Sequence, residues 1–275
     1  FVLTDALDRQ IESAARTMLD AGPVVAMTGA GLSVESGIPP FRGPGGLWTK
    51  YGEPPLDGYQ RFLEDPAKAW RERLNPTEGW AKGLMETLGA AKPNLGHHSL
   101  VGLEELGVLR ATITQNVDDL HRQAGSRALL EIHGNHTLLR SMECHTRYHP
   151  DDVAIAETAP PPRCRSCDGI LTGDTVQFGE PIPPDVLRGC YAAAQDCRCM
   201  LVVGTSATVY PAAEFPLDVL RRGGSVIEDN PYESELTAIA SISLRGPGGS
   251  VLERMLHHVR SLSPDLARAD EAPTP

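Results

Sequence analysis

Short, mostly apolar segments recur along this chain of 275 residues and alternate with helical patterns. Segments that are apolar on both faces are typical of strands in a parallel sheet. Their alternation with helices predicts a doubly wound α/β fold with a Rossmann-like sheet. The ligand crevice of such a sheet lies at the carboxyl ends of its strands. The predicted strands cover residues 24–27, 111–114, 200–203 and 225–227, and the predicted helices cover residues 4–21, 96–106, 184–196 and 212–222.

Two insertions interrupt this alternation. Residues 44–82 are rich in glycine, proline and tryptophan, and residues 141–180 carry a cluster of cysteines. We expect these insertions to form a smaller module, a helical insertion joined to a cysteine-rich zinc ribbon. The larger domain is then expected to consist of residues 1–43, 83–140 and 181–260. The tail 261–275 contains three prolines and several charges, so we expect it to be disordered.

The first predicted strand leads into a glycine-rich turn, Gly29-Ala30-Gly31. Glycines at this place let backbone N–H groups approach a pyrophosphate closely. The dehydrogenase fingerprint G-x-G-x-x-G would require glycine at position 34, where this chain has Val34. A conventional dehydrogenase is therefore not favoured, and the loop continues instead through Gly37-Ile38 to Phe41-Arg42.

Polar side chains follow the other predicted strands. Asn116 and Asp118, after the second strand, offer complementary hydrogen bonds to a carboxamide. Asp118 also stands where it could cap a helix that begins near Leu120, and the two roles can coexist. Gly204-Thr205-Ser206 follows the third strand and Asn230 follows the fourth, and such small polar groups suit phosphate and ribose. We expect these loops to form one composite site.

These strings together resemble the sirtuins, the NAD+-dependent protein-lysine deacylases, in their bacterial type. Sirtuins carry GAG-x-S-x-x-SGIP-x-FR after the first strand, and this chain has that string without a break. The resemblance extends over about residues 5–260 and implies that NAD+ is a co-substrate. The residues that it assigns to NAD+ are Gly29, Ala30, Gly31, Val34, Gly37, Ile38, Phe41, Arg42, Gln115, Asn116, Asp118, Gly204, Thr205, Ser206, Asn230 and Gly248.

The catalytic base is implied by a further string, Glu131-Ile-His133-Gly-Asn135, which resembles the catalytic segment of the sirtuins. The resemblance implies that His133 is the general base and that Asn116 is the second catalytic residue. An imidazole suits this task because its pKa lies near the working pH. The chain has nine histidines, and His97 and His121 match sirtuin positions that are architectural.

The substrate segment is expected at Val176-Gln-Phe178-Gly179-Glu180, which resembles the sirtuin segment that pairs with an acylated-lysine peptide as an added strand. An ordinary connecting strand is the alternative interpretation. The substrate-binding residues that the resemblance implies are Val176, Phe178 and Gly179. Sirtuins that prefer acidic acyl groups carry a tyrosine and an arginine at places that here hold Arg73 and Pro76. We therefore expect a neutral acyl group such as acetyl.

A metal site is predicted in the smaller module. The cysteines with the spacing of zinc ligands are Cys144, Cys164 and Cys167. Ser141 stands at the fourth ligand position of the sirtuin zinc knuckle, where His145 or His149 offers an alternative nitrogen. A hydroxyl is a weaker zinc ligand than a thiolate, so we expect structural Zn²⁺ at reduced occupancy. The remaining cysteines, expected to be buried thiols, are Cys190, Cys197 and Cys199.

Charge and composition exclude several classes of partner. The net charge of −11 and the pI near 5.3 argue against binding to nucleic acid or anionic lipid. The chain has no apolar run near the ~20 residues of a membrane helix and no secretory signal, and its cysteines suit a reducing compartment, so we expect a cytoplasmic protein. The expected activity is deacetylation that releases nicotinamide and O-acetyl-ADP-ribose. ADP-ribosyl transfer, NAD+ hydrolysis or non-catalytic NAD+ binding would use the same pocket.

Overall fold

The first helix illustrates how local sequence sets the elements of this computed structural model. The described residues are 3–53, 55–75, 80–155 and 161–269. Helix α1 (Asp5–Ala21) begins where the Thr4 hydroxyl accepts the Leu7 N–H at 3.2 Å, a capping bond that satisfies one free amide. Its apolar face buries Ile11 and Met18 completely. The helix thus forms over the range that the periodicity predicts.

The remaining elements alternate as the sequence pattern indicates. The strands are Val24–Thr28 (β1), Leu109–Thr114 (β2), Leu129–Glu131 (β3), Leu139–Ser141 (β4), Arg147–Tyr148 (β5), Leu171–Gly173 (β6), Cys199–Val203 (β7), Ser225–Asp229 (β8) and Ile242–Leu244 (β9). The helices after α1 are Leu47–Tyr51 (α2), Gly58–Glu64 (α3), Pro66–Leu74 (α4), Trp80–Ala90 (α5), Leu95–Glu105 (α6), Leu120–Ala124 (α7), Pro184–Asp196 (α8), Glu214–Arg221 (α9), Gly248–Leu262 (α10) and Pro264–Ala269 (α11).

Six strands form a parallel sheet in the order β3-β2-β1-β7-β8-β9. The strand order reverses between β1 and β7, and a doubly wound sheet opens its ligand crevice at such a point. The register pairs Thr28 with both Thr114 and Val203, and it pairs Val203 with Asp229. Four strands therefore end at one level, and the predicted Rossmann-like fold is confirmed.

Helices cover both faces of this sheet. Successive strand residues point to opposite faces, so Ala26 and Leu201 join one core cluster with side chains from α1, α6 and α10. Met27 and Met200 join the other cluster, with side chains from α8 and α9 that include Phe215. Each fully buried large side chain of this kind stabilises the fold by roughly 1.5–3 kcal/mol. The two cores fix the position of the sheet and so of its carboxyl edge.

A second, antiparallel sheet has the order β5-β4-β6. It packs against α3 and α4 through a cluster that includes Phe62, Trp70 and Leu171. The indole N–H of Trp70 donates to the Leu171 carbonyl at 2.8 Å, which pins the helical insertion to the cysteine-bearing sheet. Strand β4 begins at Leu139, two residues before the range expected for the smaller module.

The carboxyl-terminal segment differs from the expected disorder over residues 261–269. Residues 261 and 262 complete α10, and Pro264 and Asp265 open α11. Proline and an acidic residue both suit the first turn of a helix, so composition alone misleads here. The expectation for residues 270–275 lies outside the described residues. Within the described ranges, no helix has the length and apolar character needed to cross a membrane.

Candidate functional site

Backbone hydrogen bonds join the loops that leave the strand ends. The Gly31 N–H donates to the Gly204 carbonyl at 2.8 Å, and the Gly204 N–H donates to the Asp229 carbonyl at 2.9 Å. Gly204 has a φ of +63°, and a Cβ on it would lie 2.4 Å from the Leu32 nitrogen. Only glycine permits two backbones to approach this closely. The loop after β1 therefore lies directly on the loop after β7.

Asn116 and Asp118 are tied to the first loop by one hydroxyl. The Asn116 amide donates to the Gly29 carbonyl and to the Ser33 hydroxyl, both at 3.1 Å. The Ser33 hydroxyl in turn donates to Asp118 at 2.6 Å, and the Leu120 N–H donates to the other Asp118 oxygen at 3.0 Å. Burial raises the pKa of Asp118, and the bonds from Ser33 and Leu120 oppose that shift. Asp118 thus also accepts the N–H of the first residue of α7, although the N-cap residue is Asp119.

Thr205 links the remaining predicted site residues. The Gln115 amide donates to the Thr205 hydroxyl at 3.0 Å, and the Asn230 amide donates to the Thr205 carbonyl at 3.0 Å. Ser206 follows Thr205, and its hydroxyl lies 2.9 Å from that of Thr208. The loops after β2, β7 and β8 therefore meet at the carboxyl edge of the sheet, where a doubly wound sheet has its ligand crevice, and we call this crevice the groove.

His133 lies at the edge of this groove. Its Nδ1 donates to the Gln115 carbonyl at 3.1 Å, because a carbonyl can only accept, and Nε2 therefore carries the lone pair of the neutral ring. Burial lowers the pKa of His133, and the bond to Gln115 opposes that shift. The ring is thus neutral and basic at Nε2 at physiological pH. This is the protonation state that a general base requires.

His97 and His121 lie below the groove. Their rings pack edge to face with centroids 4.9 Å apart, and both are buried. Burial lowers the pKa of His97 to about 4 and that of His121 to about 3. The His97 Nδ1 accepts the Asn94 N–H at the start of α6, as part of the helix cap. Both rings therefore have structural contacts, as the sequence predicts.

Three aromatic rings, Phe41, Trp48 and Phe178, form a row that we call the aromatic row. The centroid of Phe41 lies 5.0 Å from that of Trp48, which lies 5.8 Å from that of Phe178. The Arg42 guanidinium lies 4.3 Å from the Trp48 centroid and pairs with Glu53 at 3.1 Å. The row therefore joins the loop after β1 to the predicted substrate segment.

Four predicted NAD+ residues take no part in the hydrogen bonds between loops described above. Val34 is 44% exposed, whereas Ile38 is buried against Leu120 and residues of α5. Gly37 ends the 3₁₀ turn that holds Val34, with a φ of +87°. Gly248 begins α10, where a Cβ would lie 3.5–3.7 Å from neighbouring side chains. Of these four, Ile38 is placed in a hydrophobic cluster, where it supports the loop.

The predicted substrate segment runs beside His133 without forming a regular strand. The Val176 N–H donates to the His133 carbonyl at 2.9 Å, and the Tyr59 N–H donates to the Phe178 carbonyl at 3.2 Å. Gly179 follows with a φ of +82°, close to the Leu56 carbonyl. The segment is therefore held between the His133 loop and α3.

The three cysteines of the smaller module converge. Sulfur atoms of Cys144, Cys164 and Cys167 all lie within 4.8 Å of one another, and no histidine joins this group within the described ranges. The Ser141 oxygen lies 3.3 Å from the Cys167 sulfur and accepts the Cys144 N–H at 3.3 Å. A hydrogen bond from the Tyr148 hydroxyl lowers the pKa of Cys164 to about 6. Three sulfurs fit three of the four positions of a structural zinc site, the Ser141 oxygen lies beside them, and neither His145 nor His149 belongs to the group.

The other three cysteines are free and lie in the core. Burial raises the pKa of Cys190 and of Cys199 to about 12, and it raises the pKa of Cys197. Protonated, enclosed thiols of this kind act as small apolar side chains. Their placement agrees with the sequence-based prediction.

Comparison with known proteins decides the family. The model of the Sir2 family matches residues 29–211. This chain belongs to the Sir2 family. A curated relative, NAD-dependent protein deacylase 1 of Archaeoglobus fulgidus, is 43% identical over 250 residues, which cover 90% of this chain and 98% of the relative. The NAD-dependent protein deacylase of Pyrococcus abyssi is 42% identical over 255 residues, covering 92% and 99%.

Solved Sir2 structures have the same fold. A complex of a Sir2 homolog with NAD is 42% identical, has a TM-score of 0.75, and covers 91% of this chain and 94% of that chain. A Sir2 complex with a p53 peptide and NAD+ is 32% identical, has a TM-score of 0.71, and covers 93% and 99%. The likeness therefore extends over both sheets of this Sir2 chain.

Sequence reasoning missed two residues of this Sir2 site and one buried arginine outside it. Ser33 joins Asn116 to Asp118, and its place inside the matched GAG-x-S string was an available signal. Trp48 lies between Phe41 and Phe178, but a tryptophan after glycines gives no sign of such a neighbour. Arg140 is 2% exposed, and a charge inside the short segment 138–141 offered no pattern to interpret.

Of the two residues considered for acyl preference, the structure describes Arg73 but not Pro76. Arg73 lies on α4 with its guanidinium 5.8 Å from the Trp70 centroid, beside a recess of about 230 Å³ that Thr175 and Gln177 also line. Pro76 lies outside the described residues. The preference of this Sir2 protein for a neutral acyl group therefore stays a prediction.

Proposed function

We propose that this chain is an NAD+-dependent protein-lysine deacylase that transfers an acetyl group from lysine to ADP-ribose. The observation that carries the proposal is the neutral His133 ring, which is fixed by the Gln115 carbonyl beside a groove built from four strand ends. The two curated relatives described above are NAD-dependent protein deacylases, which supports the same activity. The products are lysine, nicotinamide and O-acetyl-ADP-ribose.

NAD+ is bound along the groove. The turn Gly29-Ala30-Gly31 and the loop of Gly204, Thr205 and Ser206 face the phosphates. The N–H groups of the three glycines donate to backbone carbonyls and hold the two loops together, so the N–H groups proposed to bind the pyrophosphate are those of Ala30, Thr205 and Ser206. Asn116 and Asp118 hold the nicotinamide carboxamide. Gln115 and Asn230 hold the two riboses, and their hydrogen bonds to Thr205 place both side chains at the loop that faces the phosphates. The other contacts proposed for the dinucleotide are Ala30, Val34, Gly37, Ile38, Phe41, Arg42 and Gly248.

The reaction begins when the acyl oxygen of the substrate attacks the ribose carbon that carries nicotinamide, and nicotinamide leaves. Phe41 and Trp48 shield this electron-poor carbon from water, which would otherwise hydrolyse it. His133 then accepts a proton at Nε2 from a ribose hydroxyl. That oxygen attacks the amidate carbon, and the carbon–nitrogen bond breaks as the lysine nitrogen takes up the proton from His133 and leaves. Water then adds to the acyl carbon, which is still bound to two ribose oxygens, and release of one of these oxygens gives O-acetyl-ADP-ribose.

The substrate is an acylated lysine in a peptide or protein. A Sir2 structure with a p53 peptide and NAD+ supports peptide binding in this family. Val176, Phe178 and Gly179 contact the peptide, since the segment runs directly beside His133. An acidic protein with pI near 5.3 has no general attraction for nucleic acid or anionic lipid. The free cysteines fit a reducing compartment, so we place the protein in the cytoplasm.

Zn²⁺ is held in the smaller module by Cys144, Cys164 and Cys167, with Ser141 as the fourth ligand. The ion stabilises the antiparallel sheet, because structural zinc contributes folding free energy. One neutral hydroxyl in place of a thiolate lowers zinc affinity. Zinc occupancy is therefore below that of a four-cysteine site.

Product analysis tests the proposed function. The protein is incubated with NAD+ and an acetyl-lysine peptide, and both peptide and nucleotide are analysed by mass spectrometry. We expect deacetylated peptide, nicotinamide and O-acetyl-ADP-ribose in equal amounts. ADP-ribosylated peptide, or free ADP-ribose with an unchanged peptide, would contradict deacylation and indicate transfer or NAD+ hydrolysis instead.

A further inference from the structure

Arg140 is a buried arginine outside the groove with no role in the mechanism above. We propose that Arg140 is a positioning residue that ties the His133 loop and the substrate segment 176–180 to the cysteine-bearing hairpin β4–β5. The interpretation of these segments rests on the proposed function, whereas the contacts themselves do not.

Arg140 bridges two buried carboxylates. Its Nη2 lies 2.6 Å from Glu180, and its Nε lies 3.2 Å from Asp174 in an ion pair whose angle is too poor for a hydrogen bond. The three side chains are 3%, 4% and 0% exposed, respectively. Buried charges stay in place only when they are paired, so loss of this arginine leaves Glu180 without its ion pair and Asp174 with Arg147 alone.

Asp174 connects Arg140 to the His133 loop. Its second oxygen accepts the Asn135 N–H at 2.9 Å, two residues beyond His133. Gly134 has a φ of +79°, and a Cβ on it would lie 1.9 Å from the Asp174 carbonyl oxygen. The two backbones therefore touch, and any movement of Asp174 is transmitted to the loop that holds His133.

Glu180 connects Arg140 to the substrate segment. One Glu180 oxygen binds Arg140, and the other accepts the Gln177 N–H at 2.9 Å. The neighbouring Val176 N–H donates to the His133 carbonyl. The Arg140 guanidinium thus positions both the His133 loop and the substrate segment, between which the acyl-lysine is proposed to meet the base. Small displacements at such a place have large effects on rate.

The hairpin β4–β5 brings a second arginine to the same aspartate. Arg147 on β5 lies opposite Arg140 on β4 in the register of the sheet. Its guanidinium donates to Asp174 at 3.0 Å and to Glu131 at 3.3 Å. Ser141, the next residue after Arg140, belongs to the cysteine site. The conformation of the hairpin therefore affects the His133 loop through the two ion pairs that Arg140 and Arg147 make with Asp174.

Steady-state kinetics of Arg140→Met, Arg140→Lys and Arg147→Met test this inference. We expect Arg140→Met to lower kcat/KM for an acetyl-lysine peptide about 10–100-fold, as a displacement near 1 Å does, while KM for NAD+ stays within about twofold. Arg140→Lys keeps one charged contact and restores part of the loss. Arg147→Met, with a side chain that is 30% exposed in the parent, should act in the same direction with a smaller effect.

Arg254→Met is the matched control. It breaks another arginine–aspartate pair, at 2.6 Å between α10 and α1, and neither residue belongs to the groove or to the segments that Arg140 joins. We expect its kcat/KM for peptide to equal that of the parent protein. Equal kinetics for Arg140→Met and Arg254→Met, or a parallel rise of KM for NAD+, would overturn the inference. If Arg140→Met does not fold, kcat/KM for peptide and KM for NAD+ of Arg147→Met are compared with those of Arg254→Met instead.

Hydrogen–deuterium exchange gives a readout that does not depend on activity. Arg140→Lys and Arg147→Met should speed exchange in residues 131–136 and 174–180, and Arg254→Met should leave both segments unchanged. Unaltered exchange in the two arginine variants would refute the coupling. A parent protein that does not deacetylate the peptide would contradict the proposed function, and the exchange data would still decide the role of Arg140.

Discussion

Replacement of Gly204 by alanine tests the close contact between the loops after β1 and β7. Gly204 has a φ of +63°, and its new Cβ would lie 2.4 Å from the Leu32 nitrogen and 2.7 Å from the Gly31 carbonyl carbon. Ordinary contacts begin near 3.4 Å, so one loop must move by about 1 Å. That movement opens the proposed phosphate cradle.

The magnitude follows from two separable contributions. A left-handed backbone costs a non-glycine residue about 1–2 kcal/mol. Forcing extra atoms into a packed place costs a further amount of about 1–3 kcal/mol. We therefore expect Gly204→Ala to lower the free energy of unfolding by about 2–5 kcal/mol.

Gly223→Ala is the matched control, because Gly223 has a φ of +78° with nothing within 4 Å of its Cβ position. It should lose only the backbone contribution, about 1–2 kcal/mol. Urea unfolding and NAD+ titration of both variants measure the difference. The reasoning is refuted if both variants lose equal stability, or if Gly204→Ala binds NAD+ as tightly as the parent.

Four further outcomes are expected. His133→Ala should lower the deacetylation rate about 10²–10⁴-fold while nicotinamide exchange persists, and the parent's rate should decline only below pH 6.5, since burial lowers the pKa of this base. Ser141→Cys should retain Zn²⁺ against a chelator better than the parent, as measured by metal analysis. Hydrogen bonds from Arg254 and His258 hold the pKa of Asp8 below its usual range, so they stabilise the fold above that range and less as the pH falls. Asp8→Asn should therefore lower Tm at pH 7 more than at pH 3.

The strand ends were predictable because they depend on local pattern. Runs such as residues 200–203 carry their own strand signal, and parallel register then aligns the loops that follow them. The loop strings beside them supplied Asn116 and His133 by resemblance. This part of the site follows from residues that are close in sequence.

Contacts between distant residues could not be predicted in the same way. Ser33 donates to Asp118 across 85 positions, and Arg140 binds Glu180 across 40 positions. Neither contact produces a periodic pattern in the sequence, because each depends on how two sheets and their loops pack together. The helix at Pro264–Ala269 was missed for another reason, since proline suggests disorder by composition but favours a first helical turn by position.

The transfer of the acyl oxygen tests the central claim most directly. The protein is incubated with NAD+ and a peptide whose acetyl-lysine carbonyl carries ¹⁸O, and the nucleotide products are analysed by mass spectrometry. Attack of that oxygen on the ribose carbon predicts that the label appears in O-acetyl-ADP-ribose. Label in free acetate, or label that stays in the peptide while NAD+ is consumed, would contradict the account.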